Sequence, residues 1–160
     1  MQSFKIRKAT QSDAPIVASH RVAMFSDMGQ VPTAELAAEL LSESTSALAE
    51  LLRDGSYVGW LAIDPNDRVV AGTGVHIKPQ LPRISHGGAR VVTGAVPLAV
   101  NVYTEPEWRG KGIARALMVT VMEWARTAGF DRVVLHASDA GRPLYVSLGF
   151  VPTNEMRWFS

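Results

Sequence analysis

The segment VYTEPEWRGKGIAR, residues 102–115, decides how this chain can be interpreted. An apolar run ends before Pro106, which closes the strand because proline cannot donate a hydrogen bond to a β ladder. Glycines follow at positions 110 and 112, and apolar residues then recur at helical spacing up to Gly129. The segment therefore predicts a strand, a glycine-containing turn and the start of an amphipathic helix.

This order of elements is typical of an anion-binding site. Backbone N–H groups in the first turn of a helix have no intrahelical acceptor and lie at the positive end of the helix dipole. Gly110 and Gly112 carry no Cβ that would hold a phosphate away, and Lys111 and Arg115 add positive charge from the sides. The two glycines are too close for a P-loop, and the segment contains neither Gly-x-Gly-x-x-Gly nor Gly-Lys-Ser/Thr. Nucleoside triphosphate and dinucleotide sites are therefore disfavoured.

The composition excludes several other classes of protein. At 160 residues with 47% hydrophobic content, we expect one domain over residues 1–160 with a single core. Sixteen Lys and Arg against fifteen Asp and Glu give a net charge of +1, so we expect neither nucleic acid nor a membrane as a partner. The absence of Cys excludes a Cys acyl-enzyme and thiolate metal sites, and the four His lack metal-ligand spacing. We expect no metal, and direct acyl transfer if acyl chemistry occurs.

The location and the element order follow from the same sequence. Charges near the amino terminus interrupt the apolar core that a secretory signal needs, so we expect a cytoplasmic protein. Hydrophobic periodicity predicts mixed α/β order. The predicted elements are a strand at 4–9, a helix to about 28, a helix over 36–54 divided near 42–46, hairpin strands at 57–63 and 69–77, a mobile loop at 78–88, a strand at 94–104, a helix over 113–128, a strand at 132–137, a helix at 144–148 and closing strands over 150–158.

Two motifs carry a resemblance to a known superfamily. Arg109, Gly112 and Ala114 match the pattern Arg/Gln-x-x-Gly-x-Gly/Ala, and LYVSLGF at 144–150 matches Leu-Tyr-x-x-x-Gly-Phe after the next strand. With this element order, nearly the whole chain resembles the GNAT superfamily of N-acetyltransferases. The runs at 101–112, 136–145 and 152–156 further resemble a bacterial subgroup, from which no acceptor follows. The resemblance implies an α/β fold with a central mixed, mostly antiparallel sheet, splayed between the strands at 94–104 and 132–137 and flanked by helices.

The same resemblance implies an activity and a site. The chain would move an acetyl group from acetyl-CoA directly to a primary amine, with loop amides on the CoA pyrophosphate and the strand at 102–104 along the pantetheine arm. Tyr145 would protonate the departing thiolate, while Ser138 stands where many members have an Asn that touches the cofactor. The implied cofactor-binding residues are Val102, Tyr103, Thr104, Arg109, Gly110, Lys111, Gly112, Ile113, Ala114, Arg115 and Ser138.

Several alternatives stay open at this point. The acceptor could be a polyamine, an amino acid, an antibiotic or a protein N-terminus, and a homodimer is one option for the assembly. A non-catalytic acyl-CoA sensor, transfer of another acyl group or onto oxygen, and a protein-interaction domain are rival functions. Candidate bases are Glu105, His136 and His76, and candidate acceptor contacts are Met24, Phe25, Met28, Arg83 and His86, each with an ordinary structural role as the alternative.

Overall fold

A computed structural model describes residues 3–160 of the chain. The strands are β1 (Lys5–Lys8), β2 (Tyr57–Ile63), β3 (Val69–Pro79), β4 (Arg83–Ile84), β5 (Val91–Val92), β6 (Ala95–Thr104) and β7 (Val134–Leu135). The helices are α1 (Ala14–Asp27), α2 (Ala34–Asp54), α3 (Ile113–Thr127) and α4 (Arg142–Ser147). Short 3₁₀ turns at Gln11–Asp13 and Pro106–Trp108 follow β1 and β6. This alternation of strands and helices confirms the predicted α/β class.

Five strands form one mixed sheet in the order β1-β2-β3-β6-β7. The first three pairings are antiparallel, and β7 runs parallel to β6. Within residues 3–160, β6 and β7 pair at two positions, Leu98 with Val134 and Ala99 with Leu135. Beyond Ala99 the two strands separate, which confirms the predicted splay. The sheet is therefore open on one side along the carboxyl half of β6.

Helices cover both faces of this sheet. Successive side chains of a strand point to opposite faces, so β2 contributes to two separate cores. Trp60 and Ala62 pack in a cluster with α3, whereas Leu61 and Ile63 pack in a cluster with α1 and α2. The helical face that contains α3 therefore lies opposite the face that contains α1 and α2. This arrangement makes the sheet the partition between two layers of the molecule.

The helix α2 runs without interruption, so the predicted division near 42–46 is wrong. Its first turn is capped by Thr33, whose Oγ1 accepts a hydrogen bond from the Leu36 N–H at 3.2 Å, and it ends at Gly55 with φ of +84°. The Thr45 hydroxyl donates to the Leu41 carbonyl at 2.7 Å, which satisfies it on the helix surface. Although α2 has 21 residues, no helix within residues 3–160 is long and apolar enough to cross a membrane.

The predicted loop at 78–88 is interrupted by strands, and residues 80–82 and 85–88 have no regular secondary structure. Strand β3 continues to Pro79, and β4 pairs with β5 in a separate small hairpin. Arg83 on β4 makes a two-point ion pair with Asp131, with nitrogen to oxygen distances of 2.9 and 2.5 Å. Pro and Gly signals predicted a loop here, but a long-range bidentate ion pair holds the segment in place.

The predicted closing strands over 150–158 are also absent from the described residues. Residues 151–160 have no regular secondary structure and are exposed along their whole length. A β-strand needs a neighbour to satisfy its backbone groups, and β7 has only two paired residues and offers this segment no ladder. The segment predicted as strands therefore has no partner strand among the described residues.

Candidate functional site

A cleft of about 450 Å³ opens where β6 and β7 separate. Its walls are the carboxyl half of β6, the turn into α3, and α4 with the turn before it. Ten of the twelve predicted site residues line this cleft: Val102, Thr104, Arg109, Gly110, Gly112, Ile113, Ala114, Arg115, Ser138 and Tyr145. Tyr103 and Lys111 do not. Residues from two distant parts of the sequence therefore meet around one cavity.

The turn into α3 presents unpaired backbone donors to the cleft. Gly112 is the N-cap residue of α3 with φ of +78°, and no side chain caps this helix end. The first intrahelical hydrogen bond is donated by the Ala116 N–H to the Gly112 carbonyl at 3.0 Å, so the amides of residues 113–115 have no intrahelical acceptor. A Cβ placed on Gly112 would have no described atom within 4 Å. The loop therefore combines free donors with open space, which fits a phosphate group.

The free edge of β6 supplies a second kind of contact. Past Ala99 this edge has no strand beside it among the described residues, so the backbone groups of residues 102–104 that face β7 make no ladder there. An extended ligand can pair with such an edge as an added strand would. A cofactor that joins a diphosphate to an extended amide chain matches the loop and the edge together.

A β-bulge in β6 decides which side chains reach the cleft. Gly74 pairs with Val100 and Gly72 pairs with Tyr103, so one residue of β3 opposes two residues of β6, Asn101 and Val102. Asn101 takes the left-handed conformation with φ of +57°. Val100 and Asn101 consequently both face the layer of α1 and α2, and Val102 turns to the cleft. Simple alternation along the strand would have placed Asn101 and Val102 the other way round.

Tyr145 and Ser138 are positioned by the turn before α4. The Ser138 Oγ accepts a hydrogen bond from the Gly141 N–H at 3.1 Å, and the Ser138 carbonyl accepts one from the Arg142 N–H at 2.9 Å. A Cβ on Gly141 would lie 2.9 Å from Cε2 of Tyr145, so glycine is needed for the ring to pack here. The Tyr145 side chain is buried, and this burial raises the pKa of its hydroxyl. Tyr145 is therefore a protonated phenol at neutral pH.

The charged side chains of the turn are engaged with neighbouring elements. Arg109 donates to the Thr104 carbonyl at 2.9 Å and to Asp27 on α1 at 2.6 Å. Arg115 donates to the Ser147 hydroxyl at 2.5 Å, which ties α3 to α4. Lys111 donates to the Glu107 carbonyl at 2.7 Å, and its Nζ lies 4.9 Å from the centroid of the Trp108 ring. These contacts leave the backbone amides as the main donors that face the cavity.

Tyr103 lies on the other side of β6 from the cleft. Its ring centroid is 4.9 Å from that of His20 on α1, and the Arg109 guanidinium carbon is 5.6 Å from the Tyr103 centroid. Its neighbours Val102 and Thr104 face the cavity, because strand side chains alternate again after the bulge. The side chain of Tyr103 is thus part of the packing under α1, and only its backbone borders the site.

Comparison with known proteins identifies the family. The model of the Acetyltransferase (GNAT) family matches residues 19–150. The chain belongs to this GNAT family of acetyl-CoA-dependent acetyltransferases. A GCN5-related N-acetyltransferase from Ralstonia eutropha has the same fold with a TM-score of 0.86 and 30% identity over 99% of both chains. A predicted acetyltransferase from Clostridium acetobutylicum, solved with acetyl-CoA, has a TM-score of 0.82 and 27% identity over 99% of this chain and 96% of that one.

Curated relatives share shorter stretches with this GNAT chain. An aminoglycoside N(6')-acetyltransferase from Stenotrophomonas maltophilia is 27% identical over 78% of this chain and 69% of its own length. A glucosamine 6-phosphate N-acetyltransferase from Trypanosoma brucei brucei is 33% identical over 54% of this chain. The matched part spans about half, 53%, of that trypanosomal protein. The relatives therefore support the family and leave the acceptor open.

None of the three predicted general bases lines the cleft of this acetyltransferase. Glu105 lies beside buried His20, with 3.5 Å between Oε1 and Nε2. His136 contacts Glu155 in a larger groove of about 850 Å³, which Tyr145 also borders, and His76 lies on β3 opposite Tyr57. Among residues 3–160, no three His, Asp or Glu side chains are grouped so that they could hold a metal ion.

The predicted acceptor contacts are divided between two regions. Arg83 is occupied by its ion pair with Asp131, and His86 borders the larger groove. Phe25 is half-buried on α1, and its ring lies 4.7 Å from the guanidinium carbon of Arg21.

The sequence analysis did not predict a role for Arg21 or Asn101, although the sequence contains one indication at Asn101. Asn101 is a lone polar residue inside an apolar strand, and Asn tolerates the left-handed conformation better than most residues.

Proposed function

We propose that this chain transfers the acetyl group of acetyl-CoA directly to the nitrogen of a primary amine. The observation that carries the proposal is the cleft in which the uncapped start of α3, the free edge of β6 and Tyr145 meet. Membership of the GNAT family supports acetyl-CoA as the donor. The same match over residues 19–150, together with one continuous five-stranded sheet, supports treating residues 1–160 as one domain.

The donor is held by backbone groups in this proposal. The amides of residues 113–115 bind the pyrophosphate, with Gly110 and Gly112 allowing its close approach and Arg109 and Arg115 at its margins. The backbone of residues 102–104 pairs with the pantetheine arm. Acetyl-CoA supplies a thioester whose carbonyl carbon accepts the amine, and the Val102 N–H is the donor nearest to the bulge that can polarise that carbonyl.

Proton movements complete the transfer. The amine loses a proton before it attacks, since an alkyl ammonium with a pKa near 10 is not nucleophilic. Because the candidate bases lie outside the cleft, we assign this proton to water. As the N–C bond forms and the C–S bond breaks, the Tyr145 hydroxyl donates its proton to the sulfur. Its raised pKa keeps that proton available at neutral pH. The nitrogen then loses its second proton, and reprotonation of the Tyr145 phenolate restores the phenol.

Nitrogen is the acceptor atom that the relatives favour. The two curated relatives described above are named as N-acetyltransferases, one of glucosamine 6-phosphate and one of aminoglycosides. Their acceptors differ in charge, so neither is carried over to this chain. Recognition of the acceptor has to come from side chains on this protein itself.

The test is a screen of amines with acetyl-CoA that follows release of free thiol. We expect amine-dependent thiol release and a mass increase of one acetyl group on the amine. The same assay with propionyl-CoA tests whether another acyl group is transferred, and the assay with matched alcohols tests whether oxygen is an acceptor. If acetyl-CoA binds but no amine class releases thiol above the rate with water, the chain is a sensor and the proposal is wrong.

A further inference from the structure

Arg21 on α1 carries a positive charge that no acidic side chain compensates. Within residues 3–160, no carboxylate lies within 4 Å of its guanidinium. Asp27, on the same helix, pairs with Arg109, and Glu105 lies against His20. Arg21 is half-buried, and this burial lowers its pKa. A partly desolvated cation without an anionic partner is costly, and such groups are concentrated at binding sites.

The side chain of Arg21 is held in one place by a buried network. Its Nη1 donates to the Asn101 Oδ1 at 2.8 Å, and its guanidinium carbon lies 4.7 Å from the Phe25 centroid. The Asn101 Nδ2 in turn donates to the Tyr57 hydroxyl at 3.1 Å. Asn101 and Tyr57 are both buried. One of the five guanidinium N–H groups is therefore committed to Asn101, and the others are left for another acceptor.

The sheet is adapted to this network at two points. A Cβ on Gly74 would lie 2.1 Å from the Tyr57 hydroxyl oxygen, so glycine alone lets Tyr57 reach Asn101. The bulge at Asn101 turns this side chain toward α1 and costs backbone strain, because its φ is +57°. Strain and a glycine in a central strand both oppose stability. The bulge and Gly74 nevertheless allow Tyr57 and Asn101 to hold Arg21 in one orientation.

Arg21 is fixed at the place where β6 and β7 separate. Asn101 follows Ala99, the last residue of β6 that pairs with β7, by two positions. Val102, the next residue, faces the 450 Å³ cleft on the opposite side of the sheet. An amine that approaches the splay from the side of α1 therefore passes the free N–H groups of Arg21. Arg21 keeps part of its surface exposed to solvent, through which such a ligand can reach it.

From these contacts we infer that the acceptor amine carries an anionic oxygen group, a carboxylate or a phosphate, which Arg21 binds. This inference rests on the proposed amine acetylation and names its substrate class. Two parallel N–H donors of an arginine match two oxygens of either group. Asn101 is a positioning residue for Arg21, and Tyr57 and Gly74 hold Asn101. Polyamines and other polycations are disfavoured acceptors, because they meet like charge at this position.

The experiment uses matched pairs of amines that differ only in the anion. L-Alanine is compared with L-alaninamide, and O-phosphoethanolamine with ethanolamine, which separates carboxylate from phosphate. Binding is measured calorimetrically with coenzyme A present, where no acetyl group can move, and kcat and KM are measured with acetyl-CoA. For at least one pair we expect the charged member to bind at least about tenfold more tightly, as for a charge-assisted hydrogen bond.

Three variants locate the effect. Arg21→Met should bring the ratio of the affinities for the charged and the neutral amine close to one, chiefly by raising KM of the charged amine. Arg21→Lys should restore part of the preference for the charged amine. Asn101→Asp keeps the shape but puts a carboxylate against the guanidinium, so it should abolish the preference with Arg21 still present. Arg53→Met, at an exposed position of α2, is the control and should retain the wild-type ratio.

The outcomes are distinguishable from failure of the proposed function. If no amine releases thiol but charged amines bind in an Arg21-dependent manner, the acetylation proposal is wrong and the anion site stands. If neutral members bind as well as charged ones, or if Arg21→Met leaves the ratio unchanged, the inference about Arg21 is wrong. Unchanged stabilisation of each variant by acetyl-CoA shows that the fold and the donor site are intact.

Discussion

Replacing Gly112 by alanine separates the role of the loop in binding from its role in folding. Gly112 begins α3 with φ of +78°, and Gly129 ends the same helix with φ of +84°. Both residues are exposed, and a Cβ on either would have no described atom within 4 Å. Gly129→Ala therefore introduces the same backbone strain at the other end of the helix. It is a matched control that lies outside the cleft.

The expected magnitudes follow from these two conformations. A side chain in the left-handed region costs roughly 1–2 kcal/mol, and in a chain of this size 1 kcal/mol shifts Tm by about 2–4 °C. Both variants should thus lose about 2–8 °C without ligand. At a hundred times its Kd, acetyl-CoA contributes about 2.7 kcal/mol, so the wild-type protein should gain about 5–11 °C.

Only Gly112→Ala should lose about half or more of the gain from acetyl-CoA at the same ligand concentration. Its Cβ enters the open space beside the amides of residues 113–115, and the loss of one hydrogen bond to a charged group, about 1.5–3 kcal/mol, weakens binding by roughly 10- to 150-fold. Differential scanning fluorimetry with and without acetyl-CoA, followed by calorimetry, measures both effects. Equal acetyl-CoA stabilisation of the two variants would refute the assignment of the pyrophosphate to this loop.

Two further predictions concern side chains on either side of the sheet. Tyr145→Phe removes the proposed acid and should lower kcat by about 10²–10⁴ with little change in acetyl-CoA affinity; a kcat near the wild-type value at saturation would leave protonation of the thiolate to water. Burial lowers the pKa of His20 to about 4 from its ordinary value of 6.5, so the unfolded chain binds a proton that the native chain does not. Stability should therefore fall as pH is lowered from about 6.5 to about 4. His20→Gln should flatten this fall in Tm, and an identical pH profile in the variant would contradict the explanation.

Local sequence signals predicted the parts of the fold that depend on neighbouring residues. The strand before Pro106, the glycines of the turn and the periodicity of α3 specify the start of that helix without help from the rest of the chain. The turn after β2 is similarly local, because the Asp64 carboxylate accepts hydrogen bonds from the N–H groups of Asn66 and Arg68. These interactions span a few residues, so the sequence shows both partners side by side.

Predictions failed where the deciding partner is distant in sequence. Arg83 is ordered by Asp131, 48 residues away, and no local pattern reveals this ion pair. Residues 150–158 were predicted as strands but have no strand beside them within the described chain. Whether a segment becomes a strand depends on an available neighbour, and that is a property of the assembled sheet.

The sequence by itself determined the family, the mixed and splayed sheet implied by it, and ten of the residues that line the cleft. Each of these depends on contiguous motifs whose backbone geometry is set locally. Only the tertiary structure decided which way the side chains of β6 point, because the bulge opposite Thr73 reverses the alternation at Asn101. It alone brought Arg21 to Asn101 across 80 positions of the chain. Side-chain direction and long-range pairing arise from packing between layers, and a linear sequence carries no direct record of them.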